Sequence, residues 1–196
     1  MAIQPFDALG ARYIDNEVKQ TAFFGELSYT VIDALTPTGG ARRFDYDKTV
    51  SGAVTIGNVI SNSPVTAFSQ VDASAKGWVQ RVNVNYEVSE SLMVYAQASK
   101  GFRPGGANNI PGLTTGLVAF APDSLWNYEA GVKSDWFDRR LTMNLSAYQI
   151  DWDNIQVQAQ ANVGANFFII TNAGAARIRG FELETTLRPM TGLTLS

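Results

Sequence analysis

Apolar residues recur at every second position through several stretches of the chain, the period that puts one residue set on each face of a β-strand. Between Arg81 and Val88, one set is Val82, Val84, Tyr86 and Val88, and the other is Arg81, Asn83, Asn85 and Glu87. Trp126, Tyr128, Ala130 and Val132 alternate with Asn127, Glu129, Gly131 and Lys133, while Leu141, Met143, Leu145 and Ala147 alternate with Thr142, Asn144 and Ser146. Phe181, Leu183, Thr185 and Leu187 oppose Glu182, Glu184, Thr186 and Arg188. Near the start, Phe23, Gly25, Leu27, Tyr29 and Val31 oppose Phe24, Glu26, Ser28 and Thr30. The pattern predicts strands near 18–32, 35–47, 76–88, 92–102, 124–137, 141–158 and 172–188, a further strand starting at 193, and no helix.

The links between these strands alternate in length. Tight ones fall near Asp33-Ala34, Ser89-Glu90-Ser91, Asp138-Arg139-Arg140 and Pro189–Gly192, and long Gly/Asn/Ser/Pro-rich ones over 48–75 and 103–123, with a shorter one over 159–171. Short turns at one end and long loops at the other are the habit of outer-membrane barrels, and a soluble sandwich has no reason to follow it. Several strands also reach the roughly 9 to 11 residues that a tilted strand needs to cross a bilayer. Tyr86, Tyr95, Trp126, Tyr128, Trp136, Phe137, Tyr148 and Trp152 fall near strand ends, where half-apolar, half-wet rings suit the headgroup belts. The expected fold class is all-β, an antiparallel transmembrane up-and-down β-barrel, partial, with about seven or eight strands present.

Composition narrows the chemistry. The 196 residues carry 15 Lys+Arg against 18 Asp+Glu, a net charge of -3, and neither Cys nor His. That removes disulfides, thiolate nucleophiles, cysteine zinc sites, and the commonest metal ligand and general base. No basic block is available to neutralise phosphates, so nucleic acid is not an expected partner. Met1–Gly10 contains no basic region followed by an apolar stretch, and the longest apolar runs, Leu117–Ala121 and Phe167–Ile170, fall far short of the roughly 20 residues of a membrane helix. Glu182 and Glu184 share a strand face, but no nucleophile or His accompanies them, so they read as part of a polar wall. With Arg81, Glu87, Glu129, Lys133 and Arg188 they are expected to form cross-strand charge ladders. Asp151-Trp152-Asp153-Asn154 looks like the start of a calcium loop but lacks that loop's Gly and terminal Glu, and reads as a strand end or turn. Asn144-Leu145-Ser146 matches a glycosylation sequon inside a strand. No catalytic, cofactor-binding or metal-binding residue is expected, and the protein reads as a non-enzyme.

Four stretches carry a family resemblance: Gln20–Val31 (QTAFFGELSYTV), Ser91–Asn109 (SLMVYAQASKGFRPGGANN), Leu125–Gln158 (LWNYEAGVKSDWFDRRLTMNLSAYQIDWDNIQVQ) and Thr171–Pro189 (TNAGAARIRGFELETTLRP). In this order they resemble the barrel of TonB-dependent outer-membrane receptors. The resemblance implies a location in the outer membrane of a Gram-negative bacterium. It also implies a role in active import of a nutrient, such as a ferric siderophore, cobalamin or a glycan. No plug domain, TonB-binding segment or signal peptide is recognisable, so residues 1–196 read as an internal piece of the barrel wall. TonB would then act only through a missing N-terminal region, and the direct surroundings would be outer-membrane lipid. Seven or eight strands are roughly a third of a 22-stranded barrel of that kind. Both ends read as breaks, with Ser196 where such receptors usually end in an aromatic residue. The alternative is a small self-closing barrel with a structural or interaction role. In Lys100–Gly106, Pro and Gly end a strand, and Arg103, Asn108 and Asn109 are the ligand-binding candidates at the mouth. In the 48–75 stretch, Asn58, Asn62, Ser63 and Gln70 offer hydrogen bonds without a cationic cluster, which favours a polar neutral ligand.

Overall fold

The computed structural model describes residues 10–57, 64–110, 113, 115–162 and 166–196. The elements are β1 (Ala11–Ser28), β2 (Leu35–Ile56), β3 (Ser69–Ser89), β4 (Leu92–Arg103), β5 (Gly106–Ala107), α1 (Thr115–Val118), β6 (Ala119–Phe120), β7 (Asp123–Trp136), β8 (Leu141–Asn162), β9 (Asn166–Met190) and β10 (Leu193–Leu195). Eight strands form one antiparallel meander in the order β1-β2-β3-β4-β7-β8-β9-β10, and β5 pairs with β6 in a separate ribbon. Among the described residues β1 pairs only with β2, and β10 only with β9. The sheet is therefore open, as a partial barrel is, and the self-closing alternative does not form.

All the alternating sets keep their faces. Cross-strand partners share a face, and the chain of pairs Leu27–Gly39–Val82–Ala98–Tyr128 lies on the apolar side. The opposite side carries Glu26, Arg81, Asn83, Glu87, Glu129, Lys133, Glu182 and Glu184. The expected ladders are not made as ion pairs among themselves. Among the described residues Arg81 instead reaches Glu26 at 3.9 Å, and the Lys133 ammonium sits 5.5 Å from the Tyr95 ring centroid.

The apolar face ends along an inclined line. Its last apolar residue is Phe23 on β1 but Phe181 on β9, where Arg179 and Arg177 follow. Phe23 pairs with Arg43, whereas the cross-strand row through Phe181 meets β2 at Pro37, six residues further down. That offset is about 20 Å along the strands for about 29 Å across them, an incline of about 35°. Barrel strands cross a membrane at a tilt of about this size.

Three rings explain how glycines sit in this wall. Tyr95, Tyr148 and Phe44 each lie across the glycine that is their cross-strand partner: Gly131, Gly180 and Gly77. A Cβ on those glycines would come within 2.7, 2.5 and 2.9 Å of ring atoms, respectively, so the missing side chain is the space the ring occupies. This corrects the reading of Tyr95 and Tyr148 as belt aromatics, since both point to the polar face. Trp152 does the same, its indole reaching Asp123. Trp126 and Tyr128, stacked with centroids 5.9 Å apart, stay on the apolar face near its upper edge, and Tyr86 and Trp136 flank its lower edge.

Other expectations change at the strands' upper ends. β2 continues to Ile56 and β3 begins at Ser69, so most of the expected 48–75 loop is hairpin, and β8 and β9 likewise absorb most of 159–171. Asp151–Asn154 is neither strand end nor turn but lies inside β8, where Asn154 takes φ 57°. The residue between the flanking pairs on β9 is Gly174, at φ 42°. Below this level Tyr148 and Trp152 face the polar side. Just above it Gln156 and Asn172 still reach Ala121, and from Ala159, Ala161 and Ile169 upward the odd-numbered residues face this side, so the alternation inverts within a few residues of the paired left-handed ones. The four-residue α1 corrects the expectation of no helix.

Candidate functional site

The end with the long connections is built around one segment. Above the Arg81–Ser99 pair, β4 no longer pairs with β3, although its pairing with β7 continues to Arg103–Asp123. Phe102 stacks on Phe44 with ring centroids 3.8 Å apart, and the chain then folds across the polar face instead of out into solvent. There β5, α1 and β6 make a small ribbon, Gly106 opposite Phe120 and Ala107 opposite Ala119.

The ribbon is hydrogen-bonded to four strands, β1, β2, β3 and β9. The Gly105 N–H donates to Tyr46 Oη on β2 at 2.7 Å. Asn108 is saturated: its Nδ2 donates to the Leu117 carbonyl at 2.8 Å and the Ile170 carbonyl at 2.7 Å, and its Oδ1 accepts from the Ile170 N–H at 2.9 Å. Asn109 accepts from Ser69 Oγ at 2.6 Å, and its carbonyl accepts from the Arg12 guanidinium. Ile110 packs with Ala161 and Ile169 in a small core joined by Leu113, Leu117 and Ala159. Burying one isoleucine side chain stabilises by about 1.5–3 kcal/mol, so the ribbon is held by packing as well as by hydrogen bonds.

Its root is a charged knot. Asp123, with a side chain 1% exposed, accepts from Arg103 Nε at 3.1 and 2.9 Å, from Trp152 Nε1 at 3.1 Å and from the Gln156 N–H at 3.1 Å. Arg103 also donates to Asp123 through a terminal guanidinium nitrogen, and its guanidinium carbon lies 4.8 Å from the Trp152 ring centroid. Gln156 Nε2 donates to the carbonyls of Pro104 at 3.0 Å and Ala121 at 3.2 Å, closing both ends of the ribbon. Burial disfavours the Asp123 carboxylate, but the Arg103 hydrogen bonds, with those from Gln156 and Trp152, outweigh it and hold the carboxyl below its ordinary range.

Arg103, Asn108 and Asn109 therefore sit together at the end with the long connections, with their polar groups directed at the protein. Gln70 lies on β3 and donates to Asp72; Asn58, Asn62 and Ser63 lie outside the described residues. Sequence reading missed Asp123, Trp152 and Gln156 as a unit. The available signal was parity, since Trp152 shares it with Thr142, Asn144 and Ser146. Among the described residues no group of three or more acidic side chains is placed to hold a metal ion.

A family profile described as TonB dependent receptor-like, beta-barrel, matches residues 2–196. The chain belongs to the TonB-dependent receptor β-barrel family. That places it in the outer membrane of a Gram-negative bacterium, where a barrel wall turns its apolar face to lipid and its polar face to the lumen. The metal-pseudopaline receptor CntO of Pseudomonas aeruginosa is 36% identical over 104 residues, which is 53% of this chain and 13% of that protein. The pesticin receptor of Yersinia enterocolitica is 27% identical over 169 residues, 85% of this chain and 23% of that protein. In three dimensions, the ferric yersiniabactin uptake receptor FyuA from Yersinia pestis superposes with a TM-score of 0.74 at 20% identity, over 93% of this chain and 26% of that one. The chain thus spans about a quarter or less of the length of these relatives.

Proposed function

We propose that this chain forms wall and extracellular mouth of a receptor that actively imports a metal–chelator complex of the siderophore type. The observation that carries the reading is the ribbon of β5, α1 and β6, which folds across the polar face at the end with the long connections, where a ligand would enter. The relatives' names support the cargo class: one is a metal-pseudopaline receptor and another a ferric yersiniabactin uptake receptor. In this reading the plug and the TonB-contacting segment are supplied outside residues 1–196. Arg103, Asn108 and Asn109 serve the ligand by fixing the ribbon's position. The luminal wall of alternating carboxylates, amides and tyrosines keeps the passage wet and offers hydrogen bonds to a polar cargo.

The test is uptake of a panel of radiolabelled metal–chelator complexes by cells producing the protein. Accumulation of at least one complex that requires both the protein and an energised inner membrane is the expected result. Uptake that persists when the inner-membrane energy supply is abolished would refute active import, and a panel that shows no dependence on the protein would refute the cargo class.

A further inference from the structure

We propose that the free edge of β3, over Ser69–Lys76, is a docking site for an extended polypeptide segment, which adds to the sheet as an antiparallel strand. The inference rests on the strand pairing and is independent of the import reading. β3 pairs with β2 without a break from Leu35–Tyr86 to Gly52–Ser69, but with β4 only up to Arg81–Ser99. From Gln80 back to Ser69, the other side of β3 has no strand paired with it among the described residues. The chain that would extend β4 and β7 upwards forms the ribbon instead. β5 passes within 8 Å of β3 between Cα atoms, with no backbone pair between them.

The ladder tells which groups are left over. The Glu87 N–H donates to the Ala34 carbonyl, so odd-numbered residues of β3 bond towards β2 and even-numbered ones point the other way. The N–H and C=O of Gln70, Asp72, Ser74 and Lys76 therefore line the free edge. This stretch lies beyond Arg43, where the apolar band ends on β2, so water rather than hydrocarbon meets it. Natural sheets block an exposed edge with a proline, a bulge or an inward charge. Ser69–Gln80 contains no proline, its pairing with β2 keeps one register, and its inward residues are Val71, Ala73, Ala75, Gly77 and Val79. Its two charges face sheet neighbours: Lys76 is the cross-strand partner of Asp45, and Asp72 accepts from Thr49 Oγ1 at 2.7 Å and Gln70 Nε2 at 3.2 Å.

Elimination fixes the occupant. If β4 closed up against β3, Arg103 would reach Gly77 and the next residue, Pro104, has no N–H to donate, so Ser69–Lys76 would stay uncovered. Two copies related by a twofold along the membrane normal could bring their β3 edges together only in parallel, with inner and outer faces exchanged. An extended segment of another polypeptide meets neither obstacle. Running as β2 does, it would place every second side chain on the inner side beside Val71, Ala73 and Ala75, where small or apolar residues fit, and the others outwards.

The probe is a capped fluorescent peptide with the sequence of residues 44–52, the segment that pairs with 69–77 on the β2 side. Its binding to the full chain purified from outer membranes is read by anisotropy. The wild type should bind it, and a scrambled peptide about tenfold more weakly or not at all. Ser74→Pro removes one edge N–H while sparing the β2 ladder, and should weaken binding about tenfold. Ser74→Ala, with the backbone donor intact, should bind as the wild type does. All three proteins should show the same heat-dependent gel mobility, which separates loss of the edge from loss of the fold. Because the chain has no Cys, direction can be trapped: a peptide with Cys at its penultimate position should form a disulfide with Gln70→Cys and not with Lys76→Cys. No binding by the wild type, equal binding by Ser74→Pro, equal binding of the scrambled peptide, or trapping by Lys76→Cys instead would each overturn the proposal. So would a dimer that Ser74→Pro converts to a monomer, which would make the occupant a second copy.

Discussion

Replacing Asp123 by alanine should loosen the mouth ribbon while leaving the sheet intact. The change removes the shared acceptor of Arg103, Trp152 Nε1 and the Gln156 N–H. The last two donors are part-buried, and leaving such a donor unpaired costs about 1–2 kcal/mol. Arg103 is 49% exposed, so water replaces most of what it loses, and its share is about 0–1 kcal/mol. The sum, about 3 kcal/mol, falls on the ribbon because no backbone pair of the sheet passes through the carboxylate, and it corresponds to roughly a hundredfold rise in the open population. Hydrogen exchange at the amides of Gly105, Asn108 and Ile110 reads that population directly. Asp123→Asn keeps one acceptor oxygen and should cost about a third as much. If the alanine variant exchanges at those amides within twofold of the wild type, the knot does not hold the ribbon and the argument fails.

The same carboxyl sets a pH response. Its folded value is depressed, so the stabilisation is present above the ordinary carboxylate value of about 3.9 and is lost as pH falls through the lower folded value; pepsin should cut within 115–121 faster at pH 2 than at pH 4 once normalised to a peptide of the same sequence. Gly131→Val drives a side chain into the Tyr95 ring and should destabilise by about 1–3 kcal/mol, seen as a lower temperature for the heat-dependent mobility shift, and an unchanged temperature would mean the ring has room to move. Val132→Arg, facing lipid near the middle of the apolar band, should cost about 2–4 kcal/mol in urea-titrated folding into vesicles. Asn144→Arg, one strand away on the luminal face, should cost under about 1 kcal/mol, and equal costs would mean the faces have been assigned the wrong way round.

What the sequence disclosed, and what it concealed, follows from where the solvent changes. In the membrane-level part of each strand one face meets lipid and the other water, so Val82–Val88 or Phe181–Leu187 alternate cleanly and their faces are legible. Above the bilayer that contrast disappears. Apart from Tyr46 and Val71, Asp45–Thr49 on β2 and Ser69–Ser74 on β3 are polar or small on both sides, and the strands there read as loop although their ladder is unbroken. Tyr95 and Tyr148 were misplaced because proximity to a strand end says nothing about side. Tyr148 shares parity with the polar set Thr142, Asn144 and Ser146, and that rule would have turned it inward. The Arg103–Asp123 knot was less accessible, since its four side chains come from β4, β7 and β8 and meet only once the pairing is known.

The incline of the apolar edge ties these observations together. If the strands ran along the membrane normal, a cross-strand row would stay at one depth, and Arg179, in the row of Leu27 and Val82, would sit within the lipid. Placing a guanidinium there costs about 2–4 kcal/mol, and Arg177 lies only one outward position above it. With the strands tilted by about 35°, Arg179 rises to the same level as Arg43 and Lys100, and every outward cation leaves the hydrocarbon. The same tilt carries the β8–β9 hairpin far above the bilayer, where it can lean across the mouth only if its inward side is apolar. The inversion at Asn154 and Gly174 supplies that by turning Ala159, Ala161 and Ile169 towards Ile110. Two left-handed residues thus let one pair of strands serve a wall whose inner face is polar in the membrane and apolar beneath the ribbon.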